Sequence, residues 1–262
     1  MPTIPFRGSV ARLLVDPGGP ATGADTLLRV DGEAAGEPLH FQSTPSGGFG
    51  ALLGIPLEGG DSLPIVLRVE RPGRSDTTGV MIAVQAPRLA SERLTVAPSM
   101  VQFDSATRER IAAEQAQGRG VSHRAHDTPT LWSGPFRLPR PSRITSSYGT
   151  AREYNGQVTS RHLGTDFAGK VGAPVRAPAA AVVALAADFY LAGRALYLDH
   201  GGGLVTGYFH LSRTDVETGD TVRAGQLIGA IGRSGRVTGP HLHWIARYGA
   251  ITVDPMSLLQ LK

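Results

Sequence analysis

The residues in this chain best suited to chemistry are histidines. Eight are present: His40, His123, His126, His162, His200, His210, His241 and His243. Four of them fall in short patterns that could hold a metal ion or move a proton. In His162-Leu-Gly-Thr-Asp166 an imidazole and a carboxylate, both good zinc ligands, stand four positions apart. A regular strand would separate them by about 13 Å, too far for one ion, but Gly164 between them permits a bend. The run His241-Leu-His243-Trp244 alternates as a strand does, which puts both imidazoles on one face with Cα atoms about 7 Å apart. One could then ligate a metal while the other faces the solvent bound to it. In Tyr208-Phe-His210-Leu-Ser212 a histidine interrupts an apolar strand; taken alone it reads as a satisfied core residue.

Other chemistries lack their residues. Cysteine is absent, which removes thiol nucleophiles, zinc fingers and disulfide frameworks. There is no His-Glu-x-x-His and no Gly-x-Ser-x-Gly, so neither the helix-borne zinc site nor the hydrolase elbow is present. Gly201-Gly202-Gly203 has neither a following helix nor a Lys-Ser/Thr to make it a phosphate cradle, so it reads as a hairpin loop. The formal charge is +4, and only two residues, Lys170 and Lys262, are lysine. No run of basic residues indicates nucleic acid as a partner. The longest apolar run, about residues 177 to 187, is too short to cross a bilayer. The first residues are neither basic nor apolar in the manner of a signal, so if the protein is exported its signal segment is absent from this chain.

The elements that must position these residues are mostly strands. Gly (34) and Pro (19) are abundant, aromatic residues make up 6%, and hydrophobic residues make up 41%. That mixture predicts short strands between tight turns, with enough apolar surface for a core. Strands are expected at 10–15, 26–30, 39–42, 65–69 and 80–84, forming an N-terminal β-sandwich over residues 1–100 that carries no cluster of reactive groups. Residues 101–131 read as a short helix, capped by Asp104 or Ser105 and ended by Gly118, followed by a polar linker. Within the linker, His123 and His126 read as solvated; the alternative is that one of them blocks an open metal position in a latent form. Residues 132–262 read as a second, antiparallel β-sheet domain with strands at 182–186, 195–200, 204–210, 227–231 and 241–248. His200 reads as structural.

Taken in order, His162-x-x-x-Asp166, Tyr208-Phe-His210-Leu-Ser212 and His241-x-His243 resemble the lysostaphin-type (LytM-like) zinc metalloendopeptidases. The resemblance extends through Ile144-Thr-Ser-Ser-Tyr148-Gly, Gly172-Ala-Pro174-Val-Arg-Ala-Pro178, Val222-x-x-Gly225-Gln-x-Ile-Gly229 and Thr238-Gly-Pro240. It covers about residues 139–255. It implies one Zn²⁺ per chain held by His162, Asp166 and His243, with His210 and His241 as catalytic imidazoles at the open coordination position. Three protein ligands and an open position describe a catalytic rather than a structural zinc. The implied function is hydrolysis of peptide stems or cross-links in bacterial peptidoglycan, in the periplasm or outside the cell. The alternative is a non-catalytic relative that activates other cell-wall hydrolases. The resemblance also implies an immunoglobulin-like N-terminal domain, through which a cell-envelope protein partner could dock. Tyr148 and Arg152 lie close in sequence to the first ligand but stay outside the predicted site.

Overall fold

A computed structural model describes residues 4–17, 25–95, 102–154, 156 and 158–261. The chain divides into two compact units, Met1–Pro87 and Arg88–Lys262. Both are built mainly from antiparallel strands, as the turn-rich composition predicts.

In the first unit the strands are β1 (Val10–Val15), β2 (Arg29–Ala34), β3 (Glu37–Leu39), β4 (Gln42–Ser43), β5 (Phe49–Gly54), β6 (Ser62–Arg71) and β7 (Arg74–Ala83). They form one sheet in the order β1-β5-β4 and another in the order β3-β2-β6-β7. The period-two pattern of β6 explains the layering: Leu63, Ile65, Leu67 and Val69 are buried, while Pro64, Val66 and Arg68 face outward. Those buried residues join Leu53 and Ile55 in a single core. β1 has the predicted bounds. β5 is not among the predicted strands, because Phe49-Gly-Ala-Leu-Leu-Gly54 is a short apolar run containing glycines, with no alternation to mark it.

The second unit begins with β8 (Ser91–Leu94) and the helix α1 (Ser105–Arg124). Its remaining strands are β9 (Ile144–Ser146), β10 (Ala151–Tyr154), β11 (Val158–Arg161), β12 (Thr165–Ala168), β13 (Pro174–Arg176), β14 (Ala181–Phe189), β15 (Gly193–Gly201), β16 (Leu204–Thr214), β17 (Thr221–Val222), β18 (Leu227–Ile231), β19 (His241–Tyr248) and β20 (Ile251–Val253). The main sheet runs β17-β14-β15-β16-β19-β12-β9, and β8, β10 and β11 make a small second sheet. β18 and β19 have the predicted bounds. The centre of the main sheet is covered on both faces, and Leu196, Leu198, Tyr208 and Trp244 are fully buried there.

Two expectations change in this unit. Asp104 caps α1, accepting the Thr107 amide at 2.7 Å, but the helix does not stop at Gly118. It runs on to Arg124 and takes in residues expected to be linker. Gly118 is instead a point of close approach, since a Cβ there would lie 2.7 Å from the Tyr197 hydroxyl. The residues after the helix are also tied down. The Gly202 amide bonds the Thr128 carbonyl, the Gly203 amide bonds the Ala125 carbonyl, and the Leu131 amide bonds the His200 carbonyl. Gly201, Gly202 and Gly203 all have positive φ, which glycine adopts at little cost, so the predicted hairpin loop also serves as the seat for this segment.

Gly201→Ala should therefore destabilise the second unit. Its φ is +77° and an added Cβ would fall 1.9 Å from the Pro129 carbonyl oxygen. Left-handed strain of about 1–2 kcal/mol adds to that overlap. Thermal melting should fall by at least about 4 °C, and by more than for Gly172→Ala, where φ is also positive but nothing lies within 4 Å.

Candidate metal centre

The β12–β19 pairing brings the first and third histidine patterns together. In this antiparallel register Asp166 stands opposite His243 and Ala168 opposite His241. Along β19 the inward residues Leu242 and Trp244 are buried, leaving His241 and His243 together on the other face, as the alternation predicts. His162 follows the end of β11, and the chain bends at Gly164 before β12. The His162 and Asp166 side chains thus meet instead of lying a strand's length apart. Gly164 serves here mainly by its lack of a side chain: a Cβ would be 2.6 Å from both the His243 ring and the Trp244 carbonyl oxygen.

The resulting cluster is tight. His162 Nε2 lies 3.1 Å from Asp166 Oδ1 and 2.9 Å from His243 Nδ1. His243 Nδ1 is 2.7 Å from Asp166 Oδ1. His162 Nδ1 donates to the Ser147 carbonyl at 3.1 Å, so its Nε2 carries the lone pair that faces the cluster. At most one proton can then lie among three converging acceptors, which is too few for their three mutual contacts. A cation would satisfy all three. Tetrahedral bonds of about 2.1 Å separate their donors by about 3.4 Å, so the three atoms need spread by less than about 1 Å to accept one. The donor set of two imidazole nitrogens and a carboxylate oxygen suits zinc.

His210 reaches the same place by a strained route. It lies in β16 with φ +63°, one of two positive-φ non-glycine residues among those described. The β16 ladder shifts register beside it, and its amide bonds the Ala192 carbonyl. Strain of this kind is maintained only where the surrounding structure imposes it. The His210 ring is 4.9 Å from that of His241 and 6.0 Å from that of His243, centroid to centroid. Its Nδ1 donates to the Ser234 carbonyl, while His241 Nδ1 donates to the Gly239 carbonyl, each at 2.9 Å. In the uncharged form of either ring Nε2 is therefore the basic nitrogen. His241 Nε2 lies 3.7 Å from Asp166 Oδ1.

Burial dominates the protonation of His210 and His243. It pushes His210 down to about 3, reinforced by the neighbouring imidazoles, and lowers His243 against the pull of Asp166. Burial alone would raise the Asp166 carboxyl, but the facing imidazoles of His162 and His243 outweigh it and hold the group below the usual carboxylate range. These directions favour an ionised Asp166 carboxylate and uncharged His210 and His243 rings, the form in which such groups bind metal.

Asp166, His162, His210, His241 and His243 open onto one cleft of about 770 Å³, with Leu94 of β8 and Ile111, Glu114 and Gln115 of α1 also lining it. Arg152 lines it too and bonds Asp166 Oδ2 at 3.1 Å. Arg152 stands outside the site predicted from sequence, and nothing local in the sequence marks its partner Glu92. Tyr148 is not part of the lining: it is buried, and its hydroxyl donates to the Thr252 carbonyl. His123 is exposed on α1, and His126 packs edge-on against Tyr248. Neither lines the cleft, so the latent arrangement is not the one adopted. His200 is wholly buried between the Ala180 carbonyl and the Thr206 hydroxyl, a structural position as expected.

Comparison with known proteins agrees with this arrangement. Residues 160–255, a little over a third of the chain, match peptidase family M23. Over 105 residues it is 42% identical to the peptidoglycan DD-endopeptidase ShyA of Vibrio cholerae, a match spanning 39% of this chain and 24% of the relative. It is 36% identical over 118 residues to ShyC of the same organism, also named a peptidoglycan DD-endopeptidase, spanning 44% and 27%. The chain thus spans about a quarter of the length of these relatives. A crystal structure from Pseudomonas aeruginosa named for peptidase M23 is similar over 97% of this chain and 94% of that one, with a TM-score of 0.70 and 26% identity.

Gly164→Ala should loosen the centre, because the new methyl displaces the His243 ring or the β19 backbone. Zinc affinity measured by chelator competition should fall by at least about tenfold, with the main sheet still folded by circular dichroism. His200 supplies a separate pH signature. Burial lowers it from 6.5 to about 4, so the unfolded chain takes up the proton first and stability is lost as pH falls from about 6.5 to about 4. In metal-free protein the urea-unfolding free energy of His200→Gln should fall between pH 7 and pH 4 by about 3 kcal/mol less than that of the wild type.

Proposed function

We propose that this chain is a zinc-dependent endopeptidase of the bacterial cell wall, acting outside the cytoplasm on the peptide cross-links of peptidoglycan. The observation that carries this reading is the convergence of His162, Asp166 and His243 beneath two further imidazoles in one open cleft. The names of the Vibrio relatives support a cross-link between D-amino acids as the bond cut. The non-catalytic alternative is not favoured, because all five positions keep the residues and geometry that a reactive metal requires.

In this reading His162 Nε2, His243 Nδ1 and Asp166 Oδ1 would hold the ion. Bound zinc supplies Lewis acidity toward a carbonyl oxygen and lowers the pKa of water. The remaining steps belong to the chain. Ser147, Ser234 and Gly239 fix the tautomers of His162, His210 and His241 through backbone carbonyls. The basic Nε2 atoms of His210 and His241 then serve as the proton relay, one taking the proton of the attacking water and the pair returning it to the leaving amine. Burial keeps His210 neutral, so it enters the reaction as an acceptor. The walls from β8 and α1 hold the peptide against these groups and limit the access of bulk water.

The test is digestion of purified, directly cross-linked peptidoglycan by the full chain, followed by mass analysis of the fragments. Cross-linked dimers should be converted to monomers, and His162→Ala and His243→Ala should lose both zinc and cleavage. His210→Ala and His241→Ala should keep stoichiometric zinc while kcat falls by at least about 100-fold. Release of zinc by the latter two would overturn the division of roles. Uncut dimers in the presence of zinc-loaded wild-type protein would overturn the endopeptidase reading.

A further inference from the structure

The two oxygens of Asp166 have different partners. Oδ1 faces His162 and His243, at 3.1 and 2.7 Å. Oδ2 accepts from Arg152 Nη2 at 3.1 Å. The same Nη2 also donates to Ser146 Oγ at 3.0 Å, and that hydroxyl is 3.1 Å from His162 Nδ1. Arg152 Nε donates to Glu92 Oε1 at 2.5 Å. Glu92 comes from β8, which pairs in parallel with β10 so that Glu92 stands opposite Arg152. One guanidinium thus ties a strand lying before the matched peptidase region to two members of the candidate metal cluster.

A carboxylate can bind a metal through one oxygen or both. If both oxygens of Asp166 bound, the second would add a fifth donor and crowd the position that solvent or substrate needs. We propose that Arg152 and Glu92 are positioning residues: Arg152 engages Oδ2 and so holds Asp166 to ligation through Oδ1 alone, while Glu92 locks the guanidinium in place. This rests on the metal-centre reading above and deepens it. The planar fork of arginine suits the role, because its several donors can hold the carboxylate and the anchoring glutamate at once. The burial of the network matters as well. The side chains of Arg152 and Asp166 are only 18% and 9% exposed, so an Oδ2 stripped of its donor has little water to turn to and swings toward the cation instead. Such outer partners commonly alter metal affinity by about 10–100-fold.

The test uses the full chain loaded with Co²⁺, whose visible absorption is intense in four-coordinate and weak in five-coordinate sites. Wild-type protein should give the intense spectrum. Arg152→Ala should give the weaker, five-coordinate form, with zinc affinity by chelator competition at least about tenfold lower. Glu92→Ala should shift the spectrum in the same direction, whereas Glu92→Gln, which keeps an acceptor for Nε, should resemble wild type. Circular dichroism melting of the metal-free variants provides the check on folding. Should Arg152→Ala misfold, Glu92→Ala decides the question from a part-exposed position. A wild-type cobalt spectrum in the folded Arg152→Ala or Glu92→Ala protein would overturn the proposal while leaving the metal centre standing. A wild-type chain that takes up no cobalt would overturn both.

Discussion

Three acceptor atoms held within about a van der Waals contact of one another, with almost no protons to share, are the constraint around which the second unit is built. Desolvating a carboxylate and two imidazoles is costly unless they are paired. Here the pairing among the groups themselves is incomplete. The cost is tolerated because the sheet leaves the side chains no alternative: antiparallel neighbours on β12 and β19 have Cβ atoms about 5 Å apart, and Asp166 and His243 are such neighbours. Leu242 and Trp244, buried on the opposite face of β19, prevent that strand from slipping by one residue. A slip would exchange the faces and send both histidines into the core.

Around this cluster the structure fixes orientation with backbone carbonyls and one guanidinium. Ser147, Ser234 and Gly239 accept from the Nδ1 atoms of His162, His210 and His241, so each ring presents its other nitrogen to the cleft. Backbone carbonyls do not titrate, so the acceptors that select these tautomers are fixed by the fold. Arg152 does the corresponding work for the carboxylate. The left-handed backbone of His210 is the local cost of turning a side chain out of a strand that is otherwise buried on both faces.

The cleft is not made by the matched peptidase residues alone. β8 and α1 precede them in the chain, yet they supply Glu92, Leu94, Ile111, Glu114 and Gln115 to its walls. The length of α1 follows from packing of the same kind. Its own sequence is polar, and Gly118 and Gly120 weaken it by about 1 kcal/mol each relative to alanine. Contact between Gly118 and Tyr197, together with burial of Val121 and Ala125, carries the helix past the point where local signals would end it.

Much of this is legible in the residues themselves. Alternation places His241 and His243 on one face and marks β1 and β19, because a half-buried strand writes its period directly into the order of apolar and polar side chains; β18 is legible instead as a short apolar run between turns. Three histidine patterns in a recognisable order likewise point to one metal and its ligands. Other features depend on atoms distant in sequence. Gly118 looks like a helix stop and Gly164 like a hinge until Tyr197 and His243 are seen against them. Glu92 carries no local mark of its role, since a glutamate on a short strand is ordinarily a solvated charge. Only the parallel pairing of β8 with β10 sets it opposite Arg152. Periodicity and residue chemistry are local properties that a chain carries before it folds; close approach, register and the division of one carboxylate between two partners exist only once remote segments share the same space.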